Sequence, residues 1–571
     1  MLFPGYSGSH YHHATQGTGT TYLTAGSRAP VGYDTYPPVG QYAPMYWVRP
    51  TNEPLSPTPE QPRPEDSIAY TMHIHGLDDD SLLQIFSCFR LEGEHDWYLR
   101  LAWRNLVQVC QRWRYLIYDS WSHLDLCLLL SNDSPSSDAP SYLPPLPLVI
   151  TCSDLTRTKA RKGEDKIQLG LQQQYSRVRR IVFRAPSSSL RMWLEPMNKP
   201  FPILRDLSLL STSLATTEIS PVLPETLQAP DLRHLSLQGI GLPKGLPLLT
   251  STIALSTLSL THIQGSCYFP PGHLVTQLQG LPSLEVLSIG FTVPIPLPSG
   301  EEKLLPAPIP PVTLHTLRRL TFHGEGVYLD NLVAQIDTPL LEQLSLALLF
   351  DLDLTLVNLT GFIHRTEGFG CPIAQITFNK DGASIDVGYH EQLEQGNGKL
   401  SLHVNCKPLN WQIDSATQVC SALGNVLSAV EEFTLELDVD GIPSGWENTL
   451  DSTMWYELLL PFIGVKKLHI GSSLTLELSR ALESVTLELL PELQELEVQL
   501  KVDHATNAFS LFVKTRESVG RPVRLLVPPG HNKKRKALLV CNRQTELLCG
   551  DPYGHLSLGP TTPRTQTPNS N

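Results

Sequence analysis

Long apolar runs are missing from this sequence. A membrane-spanning helix needs about eighteen consecutive uncharged apolar residues, and no stretch of this sequence comes close to that length. The first residues, Met-Leu-Phe-Pro-Gly-Tyr, also lack the basic segment and uninterrupted apolar core of a secretory signal. We therefore expect no membrane span, no membrane partner and no signal peptide.

Positive charge is also in short supply. The chain of 571 residues holds 43 Lys and Arg against 56 Asp and Glu, which gives a formal net charge of -13. Nucleic-acid binding depends on a cationic surface that neutralises phosphates. The charge balance therefore disfavours a general nucleic-acid partner.

Closely spaced cysteine pairs are absent. The ten cysteines are scattered without any Cys-x-x-Cys spacing, and several, such as Cys110 and Cys127, sit in apolar surroundings. Scattered apolar thiols are typical of a reduced, intracellular protein rather than of a disulfide framework. We expect the protein in the cytoplasm, the nucleus or both.

Signatures of catalysis and metal binding are lacking as well. The sequence has no Gly-x-Ser-x-Gly elbow, no Walker loop, no His-Glu-x-x-His motif and no paired Cys or His ligands. Cys371, in Gly-Phe-Gly-Cys, has no histidine signature beside it. We predict no catalytic residue, no metal and no cofactor. The opposing hypothesis, an enzyme whose site lies on a solenoid, requires a deep pocket where several ionisable residues with shifted pKa values converge.

The two ends of the chain differ in composition from its middle. Residues 1–66 hold eleven Pro, seven Gly and seven Tyr but no Lys or Cys. Aliphatic residues are too sparse there to offset the entropy of ordering, so we predict a disordered leader. Residues 528–571 form a polar tail in which Lys533-Lys-Arg-Lys536 is either a nuclear import signal or a charged turn.

An internal repeat dominates the middle of the chain. Its unit is an apolar residue, two others, Leu, one residue and Leu or a similar residue, as in Leu204-Arg-Asp-Leu-Ser-Leu and Leu232-Arg-His-Leu-Ser-Leu. Successive units start 23 to 35 residues apart, except for one gap of 57 residues between Ile373 and Val430. The units start at Val178, Leu204, Leu232, Leu255, Leu284, Leu317, Leu341, Ile373, Val430, Val465 and Leu493.

Each unit predicts one strand whose alternate residues point inward, followed by a turn and often a short helix. The 57-residue gap equals about two periods, with Leu400-Ser-Leu-His-Val as a degenerate strand inside it. Short apolar strands are also predicted within 121–130 and at 148–152. Helices are predicted at 275–281, 329–336, 352–364, 417–430 and 456–462. One unit cannot bury its own apolar face, so we expect the units to stack.

Residues 77–117 have a different periodicity, that of two amphipathic helices. Leu82, Ile85, Phe86 and Phe89 follow the i, i+3, i+4, i+7 spacing of one helical stripe. Asp78 to Asp80 precede them, where carboxylates favour a helix start. A second stripe runs through Trp103, Leu106, Val107, Cys110, Trp113 and Leu116 or Ile117.

This segment resembles an F-box, the helical module that docks on a Skp1-type adaptor in cullin ubiquitin ligases. The residues that carry the resemblance are Leu77, Asp79, Asp80, Leu82, Leu83, Ile85, Phe86, Leu106, Val109, Cys110, Arg112 and Trp113. The Val109-Cys-Gln-Arg-Trp-Arg segment is its most recognisable part. Asp78 departs from it, because F-boxes usually carry Pro after the first Leu. Asp also suits a helix start, so the helix is expected to form, whereas the apolar contact of Pro would be lost. A helical cap without a partner is the alternative.

The repeat region resembles an irregular leucine-rich-repeat solenoid. Its pairing with an F-box resembles a large fungal group of such proteins, and four segments carry this resemblance: residues 77–83, 144–150, 461–468 and 490–496. We therefore expect an α/β fold: a leader (1–66), an F-box-like helical domain (70–118), a solenoid of parallel strands with short helices (119–527) and the tail (528–571). A compact α/β domain with a parallel sheet is the alternative architecture.

The resemblance implies a substrate-recognition subunit of a Skp1-cullin-F-box ligase, itself non-catalytic, whose solenoid binds a client protein. The alternative is a client-binding scaffold with a lapsed F-box. The implied adaptor contacts are apolar residues of the two helices, some of which must serve the core instead. They are Leu77, Leu82, Leu83, Ile85, Phe86, Leu106, Val109 and Trp113.

Overall fold

The computed structural model of the protein describes a chain with several gaps, and all described residues belong to one compact unit that begins at Ile74. The predicted leader and tail, with Lys533 to Lys536, lie outside the described residues. The described residues are 74–88, 103–122, 124, 126–131, 146–153, 160–213, 220–243, 247–292, 311–349, 357–366, 368–395, 398–438, 452–484, 489–499 and 502–527.

Eighteen strands form in this part of the chain. In chain order they are β1 (Leu128–Ser131), β2 (Leu148–Ser153), β3 (Val178–Ala185), β4 (Asp206–Ser211), β5 (His234–Gln238), β6 (Thr257–Ile263), β7 (Val286–Phe291), β8 (Val312–Thr313), β9 (Arg319–Gly324), β10 (Ile336–Asp337), β11 (Gln343–Leu349), β12 (Ile373–Asn379), β13 (Gly382–Gly388), β14 (Leu400–Asn405), β15 (Glu432–Asp438), β16 (Lys467–Ile470), β17 (Glu495–Val498) and β18 (Arg524–Leu526).

Fifteen α-helices alternate with these strands. They are α1 (Asp79–Cys88), α2 (Trp103–Leu106), α3 (Gln111–Asp119), α4 (Ala160–Gln173), α5 (Ser187–Leu194), α6 (Pro247–Thr250), α7 (Pro271–Leu278), α8 (Gly326–Val333), α9 (Val357–Arg365), α10 (His390–Glu394), α11 (Leu409–Ala422), α12 (Gly424–Leu427), α13 (Ser452–Leu459), α14 (Thr475–Ser484) and α15 (Val502–Ser518).

Sixteen strands form one sheet in the order β1-β2-β3-β4-β5-β6-β7-β9-β11-β14-β13-β12-β15-β16-β17-β18, and β8 pairs with β10 in a separate two-stranded sheet. Neighbouring strands of the large sheet are parallel, except that β13 is antiparallel to both β12 and β14. The mostly parallel sheet with intervening helices has the architecture of a leucine-rich-repeat-like solenoid, as the repeat predicted. Every repeat unit contains a strand of the large sheet.

Register across the sheet explains why the repeat specifies this stack. The same leucine of successive units lies opposite its counterpart on the next strand, from Leu207 on β4 to Leu400 on β14. These leucines are fully buried, and so is the apolar residue two positions later in each unit. Each unit therefore covers the apolar face of its neighbour, as stacked repeats require.

Helices cover the buried face of the sheet, and polar residues cover the other face. Helices α7, α8 and α9 pack on one another in succession, as do α11, α13, α14 and α15. Between the two buried apolar residues of each unit from β4 to β11, and on β12, β14 and β15, lies a Ser or Thr that is at least partly exposed, such as Ser208 and Ser259. We call this second face the solvent face of the sheet.

The 57-residue gap holds a chain reversal, which corrects the prediction of two stacked parallel units. Strand β12 turns directly into β13 at Asn379, whose Oδ1 accepts the backbone N–H groups of Asp381 and Gly382, each at 2.8 Å. A side chain at Gly382 would collide with the carbonyl oxygen of Val404. The predicted strand at Leu400 does form, as β14, but it lies beside β11 rather than beyond β12.

The strand predicted within 121–130 is shorter than expected and begins only at Leu128. Before it, the backbone N–H groups of Leu124 and Leu126 donate to the carbonyls of Ser120 and Trp121, each at 3.0 Å. These hydrogen bonds continue the helical turn of α3 and delay the extended conformation.

The buried and solvent faces of β6 should respond differently to substitution. Leu258→Ala should lower the free energy of unfolding by about 2–5 kcal/mol, because it leaves a cavity in the buried leucine register. Ser259→Ala, the next residue on the solvent face, should change it by less than about 0.5 kcal/mol. Urea denaturation followed by circular dichroism measures both variants, and equal effects would contradict this assignment of the two faces.

Candidate functional site

Helix α1 begins at a capping aspartate, as expected. Asp78 Oδ1 accepts the backbone N–H of Ser81 at 2.7 Å. Hydrogen bonds from the backbone and the hydroxyl of Ser81 lower the pKa of Asp78, so the cap is charged at neutral pH. The carboxylate therefore takes over the role that Pro plays at a helix start, by satisfying a free N–H group rather than by removing one.

A salt bridge ties the start of α1 to α3. Arg112 donates to Asp79 Oδ1 from Nε at 3.0 Å and from Nη2 at 2.6 Å, and Nη2 also donates to the carbonyl of Leu77 at 2.7 Å. Both side chains are largely exposed, so the pair adds little net stability. Because the planar guanidinium of Arg112 donates three hydrogen bonds, it sets the orientation of α3 relative to α1.

The buried faces of α1 and α3 belong to the core. Leu82, Phe86 and Trp113 are 0%, 4% and 7% exposed, and they join one continuous cluster with the residues of the solenoid. The rings of Phe86 and Trp113 meet edge to face with centroids 4.9 Å apart. These three predicted adaptor contacts have little surface left for a partner, because they hold the helices to each other and to the rest of the unit.

Other apolar side chains of these helices and of the turns beside them are exposed or half-buried. Ile85 is 38% exposed and Val109 is 56% exposed, while Leu77, Leu83 and Leu106 are half-buried against the core. The contacts predicted from the sequence did not include three further exposed residues, Ile74, Tyr115 and Trp121. Tyr115 lies two residues after buried Trp113, and that spacing places it off the buried stripe. We call Ile74, Ile85, Val109, Tyr115 and Trp121 the hairpin surface.

A second group of polar side chains lies on the solvent face, around the antiparallel strand β13. Burial raises the pKa of Asp386 to about 6, against the opposing effect of a hydrogen bond with Ser401. Ser384 Oγ and His403 Nδ1 are 3.0 Å apart. Burial, and secondarily the charge of His323, lowers the pKa of His403, which is therefore neutral at neutral pH.

This polar group differs from an acyl-transfer site. A nucleophilic serine needs backbone N–H donors aimed at the developing oxyanion. Strand β13 is paired along both edges, with β12 and β14, so its N–H groups are engaged in the sheet. The Ser384 and His403 pair therefore serves the cross-strand packing of the solvent face.

Charge on the solvent face is uneven. On β16, His469 lies between two carboxylates, with Nε2 2.8 Å from Glu432 Oε1 and Nδ1 2.9 Å from Glu497 Oε2. Further carboxylates follow on the same strands, at Glu436 and Glu495. Strands β15 to β17 thus form the acidic end of the face.

Two further features are absent from the described ranges. There, no group of three or more His, Cys, Asp or Glu side chains is arranged to hold a metal ion. No helix in these ranges combines the length and the apolar character needed to cross a bilayer.

Comparisons with known proteins add little. No family model matches the chain, and no curated protein matches it. Among solved structures, a chain of the "Crystal structure of TLR13-ssRNA13 complex" is 13% identical, with a TM-score of 0.23 over 59% of this chain and 44% of that one. The match spans less than half of that protein and is too weak to support an argument about fold or function.

Asp386 makes the folding stability depend on pH. An unfolded chain releases this proton near pH 3.8, whereas the folded chain holds it up to about pH 6. The protonated carboxyl therefore contributes stability that is present below pH 3.8 and is lost as the pH rises to about 6, at most about 3 kcal/mol.

Asp386→Asn should remove this dependence, because the amide cannot ionise. The variant should gain stability relative to the wild type between pH 3.8 and about pH 6, as measured by thermal unfolding across that range. Asp438→Asn, at an exposed position on β15, is the matched control for loss of one carboxylate. A constant difference between Asp386→Asn and the wild type across the range would contradict the raised pKa.

Proposed function

We propose that this chain is a non-catalytic substrate-recognition subunit of a Skp1-cullin-F-box ubiquitin ligase. Helices α1 to α3 bind the Skp1-type adaptor, and the solenoid binds a client protein. The F-box resemblance of residues 77–113 supports this proposal. The observation that carries it is the exposure of Ile85 on α1 and of Val109 in the turn before α3, beside helices whose buried stripes already pack on the core.

Energetics favours a partner at the hairpin surface. Leu82, Phe86 and Trp113 already attach the helices to the core, so folding alone does not need further apolar residues there. Covering an exposed Ile or Val side chain contributes about 1.5–3 kcal/mol at most. The exposed residues of the hairpin surface, together with half-buried Leu83 and Leu106, can therefore support a specific contact with a partner protein.

The mechanism in this proposal is proximity. The adaptor and cullin hold the chain near a ubiquitin-charged enzyme, and the solenoid holds the client. Client lysines then react at a raised effective concentration, without any chemical step on this chain and without a cofactor. This role places the protein in the cytoplasm, the nucleus or both.

A second candidate function is a client-binding scaffold whose F-box has lapsed. Asp78 favours it, since its carboxylate is engaged with Ser81 and offers no apolar contact where F-boxes usually present Pro. In this alternative, helices α1 to α3 serve only as a cap on the solenoid.

Size-exclusion chromatography of the full chain with a Skp1-type adaptor tests the proposal. We expect a stable one-to-one complex. Ile85→Asp combined with Val109→Asp should weaken it more than tenfold, because two apolar contacts are replaced by charges that must be desolvated. Phe86 is unsuitable for substitution, since a charge there would disrupt the core.

Ile253→Asp combined with Val357→Asp is the matched control, because both positions are exposed apolar residues outside the hairpin. This control should bind the adaptor like the wild type. Folded wild-type protein that elutes alone would reject the ligase role and favour the scaffold. A complex unaffected by the Ile85 and Val109 pair would place the contact elsewhere.

A further inference from the structure

A continuous row of residues runs along the edge where the strands begin, one position ahead of, or at the start of, each strand, and all of its residues are at least partly exposed. Each residue donates its backbone N–H to the carbonyl of the previous one at 2.8 or 2.9 Å. The row contains Arg179, Arg205, Arg233, Ser256, Glu285, Arg318 and Glu342. Neighbours in this row are therefore about 4.8 Å apart, the spacing of adjacent strands.

Charges alternate in the later part of this row and pair across strands. Glu285, Arg318 and Glu342 follow one another, and the guanidinium of Arg318 forms an ion pair with Glu342. The equivalent positions further along the sheet behave in the same way, since Lys466 Nζ lies 2.7 Å from Glu431 Oε1. Side chains at this position therefore do reach one another.

The first three positions break this alternation. Arg179, Arg205 and Arg233 are consecutive, and like charges on adjacent strands are destabilising. Arg205 and Arg233 form no ion pair or side-chain hydrogen bond within the described part of the chain. We call these three residues the arginine row.

The carboxylate that follows Arg205 directly in the chain, that of Asp206, is already occupied. Asp206, one residue after Arg205, lies 2.7 Å from His234 Nδ1. It also interacts with the charges of Arg180 and Arg179. With Arg184 on β3, the solvent side of β3 to β5 thus holds five arginines and a single aspartate.

We propose that the arginine row binds a segment of a partner protein rich in Asp and Glu. The row itself indicates that the bound groups are carboxylates, because Arg318, at the equivalent position of a later strand, pairs with a glutamate. Guanidinium groups bind carboxylates in a planar, two-point geometry, which a partner's acidic side chains would complete. The segment would restore the alternation of charge that these three strands lack.

The charge distribution favours a short acidic segment over a long polyanion. Strands β15 to β17, about 40 Å further along the sheet at about 4.8 Å per strand, carry mostly carboxylates. A nucleic acid lying along the whole face would meet this acidic end and be repelled. An acidic protein segment confined to β3–β5 avoids it.

Fluorescence anisotropy with the full chain and a labelled polyglutamate peptide tests this site. At low ionic strength the wild type should bind the peptide, and a polyglutamine peptide should not bind. Arg205→Ser with Arg233→Ser should weaken binding about tenfold or more for each arginine, the effect of losing a charge-assisted hydrogen bond. Arg318→Ser with Arg319→Ser, which changes net charge equally, should alter affinity by less than about twofold.

Thermal unfolding without peptide is the second measurement. Serine is the natural residue at the next position of the row, Ser256, so the Arg205 and Arg233 double variant should melt at the same temperature as the wild type or higher. A lower melting temperature would mean that these arginines serve the fold.

Three binding results would overturn the proposal: no peptide binding, equal loss in both double variants, or tighter binding of a polyuridylate of matched charge. Binding of an acidic segment to the arginine row does not require the adaptor. Only the identification of that segment as part of a client protein rests on the proposed function. The assay contains no adaptor, so its failure leaves the hairpin proposal intact, and the reverse also holds.

Discussion

The stacking of apolar side chains in register is the interaction on which the rest of this structure depends. Leu207 and its counterparts up to Leu400 lie opposite one another on successive strands and are fully buried. No unit could bury these residues alone, so each strand is stable only because its neighbours are in place. The helical layer, the polar solvent face and the position of the N-terminal helices all follow from that stack.

The same register sorts the surface into rows of defined chemistry. Because parallel strands repeat the same positions side by side, a residue type that recurs in the repeat becomes a continuous row on the solvent face. Small hydroxyl side chains form the central row, and charged residues form the row ahead of the strands. A change in that second row, from three arginines to alternating charges, distinguishes one end of the face from the rest.

The chain reversal at β13 shows where a periodic argument fails. The length of the 57-residue gap predicts two ordinary units, yet its sequence contains Asn379-Lys-Asp-Gly382 followed by alternating apolar residues. An Asp-Gly pair between alternating segments is a strong hairpin signal, and the side chain of Asn379 does close the turn. Local turn chemistry here prevailed over the repeat period.

The spacing of the repeat specifies which segments of its units are strands and which of their apolar positions face inward, because period and composition are local properties of the chain. Only packing between distant segments settles which apolar residues of the N-terminal helices are buried. Leu82 and Ile85 are equally apolar and share one predicted stripe, yet Leu82 contacts the core and Ile85 faces solvent. That division depends on which neighbouring element covers each side chain, and the order of strands that creates the arginine row likewise depends on pairing between residues far apart in the chain.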